Sequence, residues 1–230
     1  RLVIWTAAYT GTIISYRIHF QVYGTFESHW REVAPRLADP NSYERWWLGE
    51  HLLDLNPLVR FDARHYRTIV EGGYAYRTPA PGERLEQNIA FFPLYPLTCR
   101  PLAGLLGPNV AMVAMSHFYT LAAVLLLYGW LRRRIDHPAA LLAVAAVLCW
   151  PAGVYTAFGY AESLTLLLFT ATVVLLDRQR WWLAAIVCGL ATATRPTAAA
   201  LVPVVLLAYW LHGPGPRTRR TALLVPLGLL

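Results

Sequence analysis

Hydrophobic and polar positions in this chain alternate in long blocks, not in the short periods of a water-soluble fold. Apolar runs cover residues 2–16, 109–131, 137–158, 164–176, 181–194 and 198–211. Short polar breaks separate the later runs: Arg132-Arg133-Arg134, the segment GYAES at 159–163, DRQR at 177–180, Arg195-Pro196-Thr197, and HGPGPRTRR from 212. Crossing a bilayer core takes roughly 18–20 apolar residues in a helix. Several runs approach that length, and the shorter ones are expected to tilt or to pack against neighbours. The pattern predicts an all-α polytopic membrane protein.

The block from 17 to 88 breaks this rhythm. It is long and polar, yet 43–55 carries Leu48, Leu52 and Leu55 at helical spacing beside Trp46 and Trp47. That is the pattern of a helix lying in the headgroup layer; a helix packed on a soluble subdomain is the alternative. The run after it, 89–106, holds Pro93, Pro96, Pro101 and Arg100, which suits an interfacial or re-entrant path better than a full crossing. Three regions follow: a first span at 1–16, a large loop at 17–108 carrying interfacial helices, and a helical bundle from 109 to 230. If RRR, DRQR and RTRR all lie on the cytoplasmic side, then Asp62, Glu162 and Arg195 face the opposite, outer compartment together.

Composition agrees. The chain is 57% hydrophobic and 14% charged, with mean hydropathy +0.39, against about a quarter charged in soluble domains. The net charge of +7 comes wholly from arginine among the basic residues. It sits in clusters between apolar runs, so no nucleic-acid partner is expected. Three cysteines, Cys99, Cys149 and Cys188, offer neither a disulfide framework nor metal spacing. The chain begins at Arg1, not Met, and ends on TALLVPLGLL, a span cut short; it is expected to be part of something longer.

Candidate chemistry concentrates in FDARHYRTIVEGGYAYRTPAPGERLEQNIAFFPLYP, residues 61–96. The segment from Asp62 reads as a short helix closed by Gly72-Gly73, with Arg64, Arg67 and Glu71 on one face and Tyr66, Ile69 and Val70 on another. Asp62 either caps that helix or serves as general base toward a hydroxyl, with His65 sharing the site or pairing with it. Glu162, in a short loop between spans, is either a solvated carboxylate or functional. Arg195 stands alone in ATATRPTAAALVP and needs an anionic or carbonyl partner: a lipid phosphate, which arginine binds bidentately, or Glu162. P-loop, HExxH, GxSxG, CxxC and GxGxxG patterns are absent, and the acidic residues are too dispersed for a metal cluster. No cofactor is expected.

Four blocks, FDARHYRTIVEGGY, QNIAFFPLYP, AFGYAESLTLLLF and GLATATRPTAAAL, occur in one order and together resemble the PIG-V-type mannosyltransferases. That family includes the enzyme adding the second mannose in glycosylphosphatidylinositol assembly, and bacterial relatives. The chain departs from the pattern at Phe61, where the family often has Trp, and in a longer gap at 77–87. The resemblance implies a GT-C-like, membrane-embedded glycosyltransferase with a polyprenyl-phosphate mannose donor, a glycan or lipid-linked acceptor and inverting transfer. By position, Asp62 matches the base, Arg195 the donor-phosphate ligand, and His65, Tyr66, Gln87, Asn88, Tyr160 and Glu162 the residues lining the substrate site. A bacterial plasma membrane with an outer-face site, or an endoplasmic reticulum membrane with a lumenal site, is the expected setting. A flippase that moves a lipid-linked sugar without making a bond is the alternative from another class.

Overall fold

The computed structural model describes residue 55 and residues 58–59, 62–76 and 87–215, and within them all regular structure is helical. The expected first span, nearly all of the Trp-bearing helix at 43–55 and the RTRR cluster lie outside those residues.

Helix α1 (Asp62–Gly72) follows directly from its sequence. Ala63, Tyr66, Ile69 and Val70 fall on one face and are buried, while Arg67 and Glu71, one turn apart on the other, form an ion pair at 2.8 Å. Such exposed pairs contribute a few tenths of a kcal/mol, so burial of the apolar face is what holds α1 in place. Asp62 occupies the first turn, where the helix dipole favours a carboxylate. Gly73 ends the helix at φ +82, its N–H donating to the Ile69 carbonyl at 2.9 Å, a left-handed closure that glycine adopts without strain.

A single 3-10 turn (Asn88–Ala90) leads into α2 (Leu94–Leu106). Gly107, at φ +79, then turns the chain into α3 (Pro108–Leu131). With 24 residues, α3 is about 36 Å long. Among the described residues it is the one unbroken helix both long and apolar enough to cross a membrane. Met112, Ser116, Tyr119 and Ala123 face the core, whereas Phe118, Leu121 and Leu125 are exposed. A helix apolar on all sides suits lipid better than water on its outer face.

Helix α4 (His137–Cys149) is capped by Asp136, whose carboxylate accepts from the Ala139 N–H at 3.1 Å. The expected continuous run to residue 158 then breaks. Trp150, at ψ 140, takes the extended conformation that a following proline imposes, and the 3-10 segment Pro151–Ala157 leaves at 80° to α4. Gly153 permits this: a Cβ there would sit 2.6 Å from the Leu148 carbonyl oxygen. The chain continues through α5 (Glu162–Asp177), α6 (Trp181–Thr192), a 3-10 segment (Pro196–Ala200) and α7 (Leu201–His212).

Helix α5 packs between α3 and α6. One core runs without interruption from Val59 and Ile69 through Tyr95 and Met112 to Tyr160 and Leu164. Packing is continuous across the turn at Gly107. At the far end of α5, Asp177 pairs with Arg134, whose guanidinium also lies 4.3 Å over the Trp130 ring. The RRR and DRQR clusters are thereby joined at one end of α5, about 23 Å from its first residue.

Candidate active site

At the first residue of α5, Glu162 forms an ion pair with Arg195. Their side chains are 25% and 32% exposed, so the pair is half-buried, in a setting where neither full solvation nor full desolvation applies. Arg195 follows α6 in extended conformation (φ −160, ψ 150) just before Pro196. The isolated arginine thus meets its anion, as one of the two sequence alternatives required. The second carboxylate oxygen, Glu162 Oε2, is buried with no hydrogen-bond partner among the described residues.

The loop before α5 is held by backbone contacts. Gly159 N–H donates to the Leu58 carbonyl at 2.9 Å. A Cβ at Gly159 would come within 3.1 Å of Met112, so the glycine lets the loop lie flat on α3. Thr120, from α3, donates its hydroxyl toward the Thr156 carbonyl at 2.9 Å, and Ser116 donates to the Tyr160 carbonyl at 3.4 Å. These contacts aim Tyr160 and Glu162 toward α1.

Two tyrosines link α1 to that loop. Tyr66 and Tyr160 each lie in the field of Asp62, Glu162 and Arg195, which brings residues far apart in sequence into one neighbourhood. Burial pushes the Tyr66 phenol up to about 12; Arg195 opposes that rise, and Glu162 and Asp62 add to it. Tyr160 is likewise pushed up from the usual phenol value, first by burial, then by Asp62 and Glu162. Both phenols stay protonated near neutrality, so they can donate hydrogen bonds but cannot act as bases. Asp62 itself is exposed and open to solvent-borne groups.

The aromatic wall is completed by Phe91. His65 stacks on it with centroids 4.5 Å apart, Tyr66 meets it edge-on at 5.2 Å, and the Tyr74 hydroxyl donates to its carbonyl at 2.7 Å. Phe91 belongs to the FFP pattern and Tyr74 to the Gly-Gly-Tyr that closes the first block. Gln87 sits half-buried at the start of this wall.

Asn88 behaves differently from the expected lining residue. It is 7% exposed. Its amide donates to Thr68 Oγ1 at 3.1 Å and to the Gly73 carbonyl at 3.0 Å, and its Oδ1 accepts from the Ala75 N–H at 3.1 Å. Both amide hydrogens are committed to tying the end of α1 to the chain that follows it, so Asn88 has no donor to offer a substrate.

The family described as "Dolichyl-phosphate-mannose-protein mannosyltransferase" matches residues 93–230. With its all-helical architecture, the chain belongs to this family of GT-C mannosyltransferases. It is similar to the GPI alpha-1,6-mannosyltransferase 2 of Mus musculus, 32% identical over 190 residues, covering 77% of this chain and 35% of the relative. The corresponding Homo sapiens protein is 32% identical over 174 residues, covering 70% and 32%. The PIG-V-type resemblance is thereby established. The chain spans about a third of the length of these curated relatives. The family match includes Glu162 and Arg195 and begins after Asp62. No solved structure matches the chain.

Proposed function

We propose that the protein is an integral-membrane mannosyltransferase that moves a mannosyl residue from a polyprenyl-phosphate donor to a hydroxyl of a glycan or glycolipid acceptor, with inversion. The observation that carries this reading is the half-buried Glu162–Arg195 ion pair, set beside one core that holds both Tyr160 and Tyr66, the latter on the helix that Asp62 begins. One carboxylate is exposed and one is held by a cation, so the two acids are assigned different tasks.

In the proposed reaction the acceptor hydroxyl oxygen attacks the anomeric carbon of mannose. The bond from that carbon to the phosphate oxygen breaks, and the lipid keeps the phosphate. Asp62 takes the hydroxyl proton as general base. Arg195 stabilises the charge growing on the departing phosphate. A guanidinium carries five N–H donors, and the Glu162 contact engages one of its nitrogens. Glu162 pre-aligns Arg195 through the ion pair. Tyr66 and Tyr160 donate from the flank.

The same geometry supports the proposed setting. The half-buried ion pair lies at one end of α5 and the Arg134–Asp177 pair at the other, so the helix length separates the proposed site from the arginine-rich end. With arginines retained on the cytoplasmic side, the site faces the outer or lumenal compartment of a polytopic bundle. The relatives named above are GPI mannosyltransferases; this chain's own acceptor is assigned only to the class of hydroxyl-bearing glycans and glycolipids.

The test is product formation by the purified full chain in detergent, given polyprenyl-phosphate mannose and a mannose-terminated glycolipid. A new glycoside is expected. Donor binding with no new glycoside, alongside movement of the donor across vesicle membranes, would replace transfer by a flippase.

A further inference from the structure

The ion pair at the site joins two segments that are far apart in sequence, and its geometry needs a device that sets one against the other. Thr165 lies one turn after Glu162 on α5, and Thr194 immediately precedes Arg195. Their hydroxyl oxygens are 2.8 Å apart, and Thr194 is fully buried. Thr194 Oγ1 also lies 2.6 Å from the Ala191 carbonyl, and Thr165 Oγ1 lies 2.8 Å from the Ala161 carbonyl. Ala161 is the residue just before Glu162, and Ala191 lies in the last turn of α6. The two hydroxyls therefore bridge the backbone beside one charge to the backbone beside the other.

Each hydroxyl has one hydrogen, so the three contacts share two protons. One threonine must donate to its own carbonyl while the other turns its hydrogen, wholly or in part, toward the partner oxygen. The other described threonines of α5 lack this arrangement. Thr170 and Thr172 donate back to Leu166 and Leu168 of their own helix at 2.8 Å. An i−4 bond of that kind adds little to a helix already complete. The 191–195 segment is held from a second side by Leu94 N–H, which donates to the Ala193 carbonyl at 3.1 Å. The Thr194 hydroxyl contacts restrain the backbone from which Arg195 reaches Glu162.

We propose that Thr165 and Thr194 form a hydroxyl clamp that fixes the approach of Arg195 to Glu162, making both threonines positioning residues for phosphate departure. This inference rests on the proposed mannosyl transfer for its kinetic consequence and on the ion pair alone for its structural one.

The test uses the full chain in detergent with Thr194→Val, Thr165→Val, the double variant, Thr194→Ser, and Thr172→Val as control. Valine keeps the shape and removes the hydroxyl. One hydrogen bond is worth about 0.5–1.5 kcal/mol, so Thr194→Val is expected to lower kcat by about two- to thirteenfold per folded molecule. Thr165→Val should do the same, the double variant no worse than either single, Thr194→Ser close to wild type, and Thr172→Val unchanged. Independently of activity, the coupling between Glu162→Gln and Arg195→Gln in unfolding should fall to about half or less when Thr194 or Thr165 is valine. Having both sites guards against one valine variant failing to fold. Undiminished coupling in the folded valine variant overturns the clamp, as does normal kcat per folded molecule in an active protein, or a Thr194→Ser variant as impaired as valine. If the wild type transfers no mannose at all, the functional proposal fails, and the unfolding coupling still decides the clamp.

Discussion

Asn88→Ala separates a residue that lines the site from one that builds it. The change removes two donated hydrogen bonds, to Thr68 and Gly73, and one accepted from Ala75. Ala75 is exposed, so its N–H regains water and that bond costs little. Thr68 keeps its own hydroxyl bond to the His65 carbonyl at 2.8 Å. Gly73 is half-buried and its carbonyl loses an amide partner. At about 1 kcal/mol for a typical net hydrogen bond, and 1–3 for a buried group left unpaired, the total comes to about 2–4 kcal/mol. Unfolding of the purified protein in mixed micelles measures it. The α1 C-terminus is roughly 16 Å from Asp62 along the helix, so the variant should lose stability while retaining donor affinity within a fewfold of wild type. Unchanged stability with donor binding abolished would refute the reasoning and return Asn88 to the substrate.

Other outcomes follow from the same contacts. Glu162→Gln and Arg195→Gln should each reduce transfer by about 30-fold, since a charge-assisted bond contributes about 2 kcal/mol; the double variant should be no worse than the poorer single, and additive losses would show that the pair does not act as a unit. The Tyr66 phenol, pushed up to about 12, holds its proton more tightly in the folded chain than in the unfolded one. Its contribution is therefore intact below the usual value of 10 and is lost as pH rises from there toward 12. Tyr66→Phe should make unfolding less sensitive to alkali over that window, and an unaltered alkaline limb counts against the assignment. Single cysteines at Arg133 and Tyr74, in a background lacking the three native ones, should be labelled from opposite sides of sealed vesicles; labelling from the same side contradicts the arrangement of the two ends of α5.

Local patterns were legible wherever one stretch of chain decides the outcome. The apolar face of α1, its acidic first turn and its Gly73 closure follow from residues within eleven positions of one another. The need of Arg195 for an anion was legible because a guanidinium in an apolar run has few choices, and Glu162 was one of the two partners considered. The break at Trp150-Pro151 was present as a dipeptide signal, but the uniform hydropathy of 137–158 concealed it, because mean hydropathy is blind to the ψ of the residue before proline. The block that holds Asn88 resembles a motif, which suggests a lining residue. The three internal partners of Asn88 lie 13 to 20 positions away and depend on how α1 ends. The Thr165–Thr194 pair, 29 positions apart, has no local signature, since threonine in an apolar helix reads as a weak helix former until a second helix brings its partner.

The most direct measurement of the central claim is mannose transfer from polyprenyl-phosphate mannose by the Asp62→Asn variant, compared with wild type at equal folded protein. Asparagine keeps the size and polarity of the side chain and removes the base. Loss of transfer by about a hundredfold or more, with donor binding retained, is the predicted result; transfer near the wild-type rate would contradict the account.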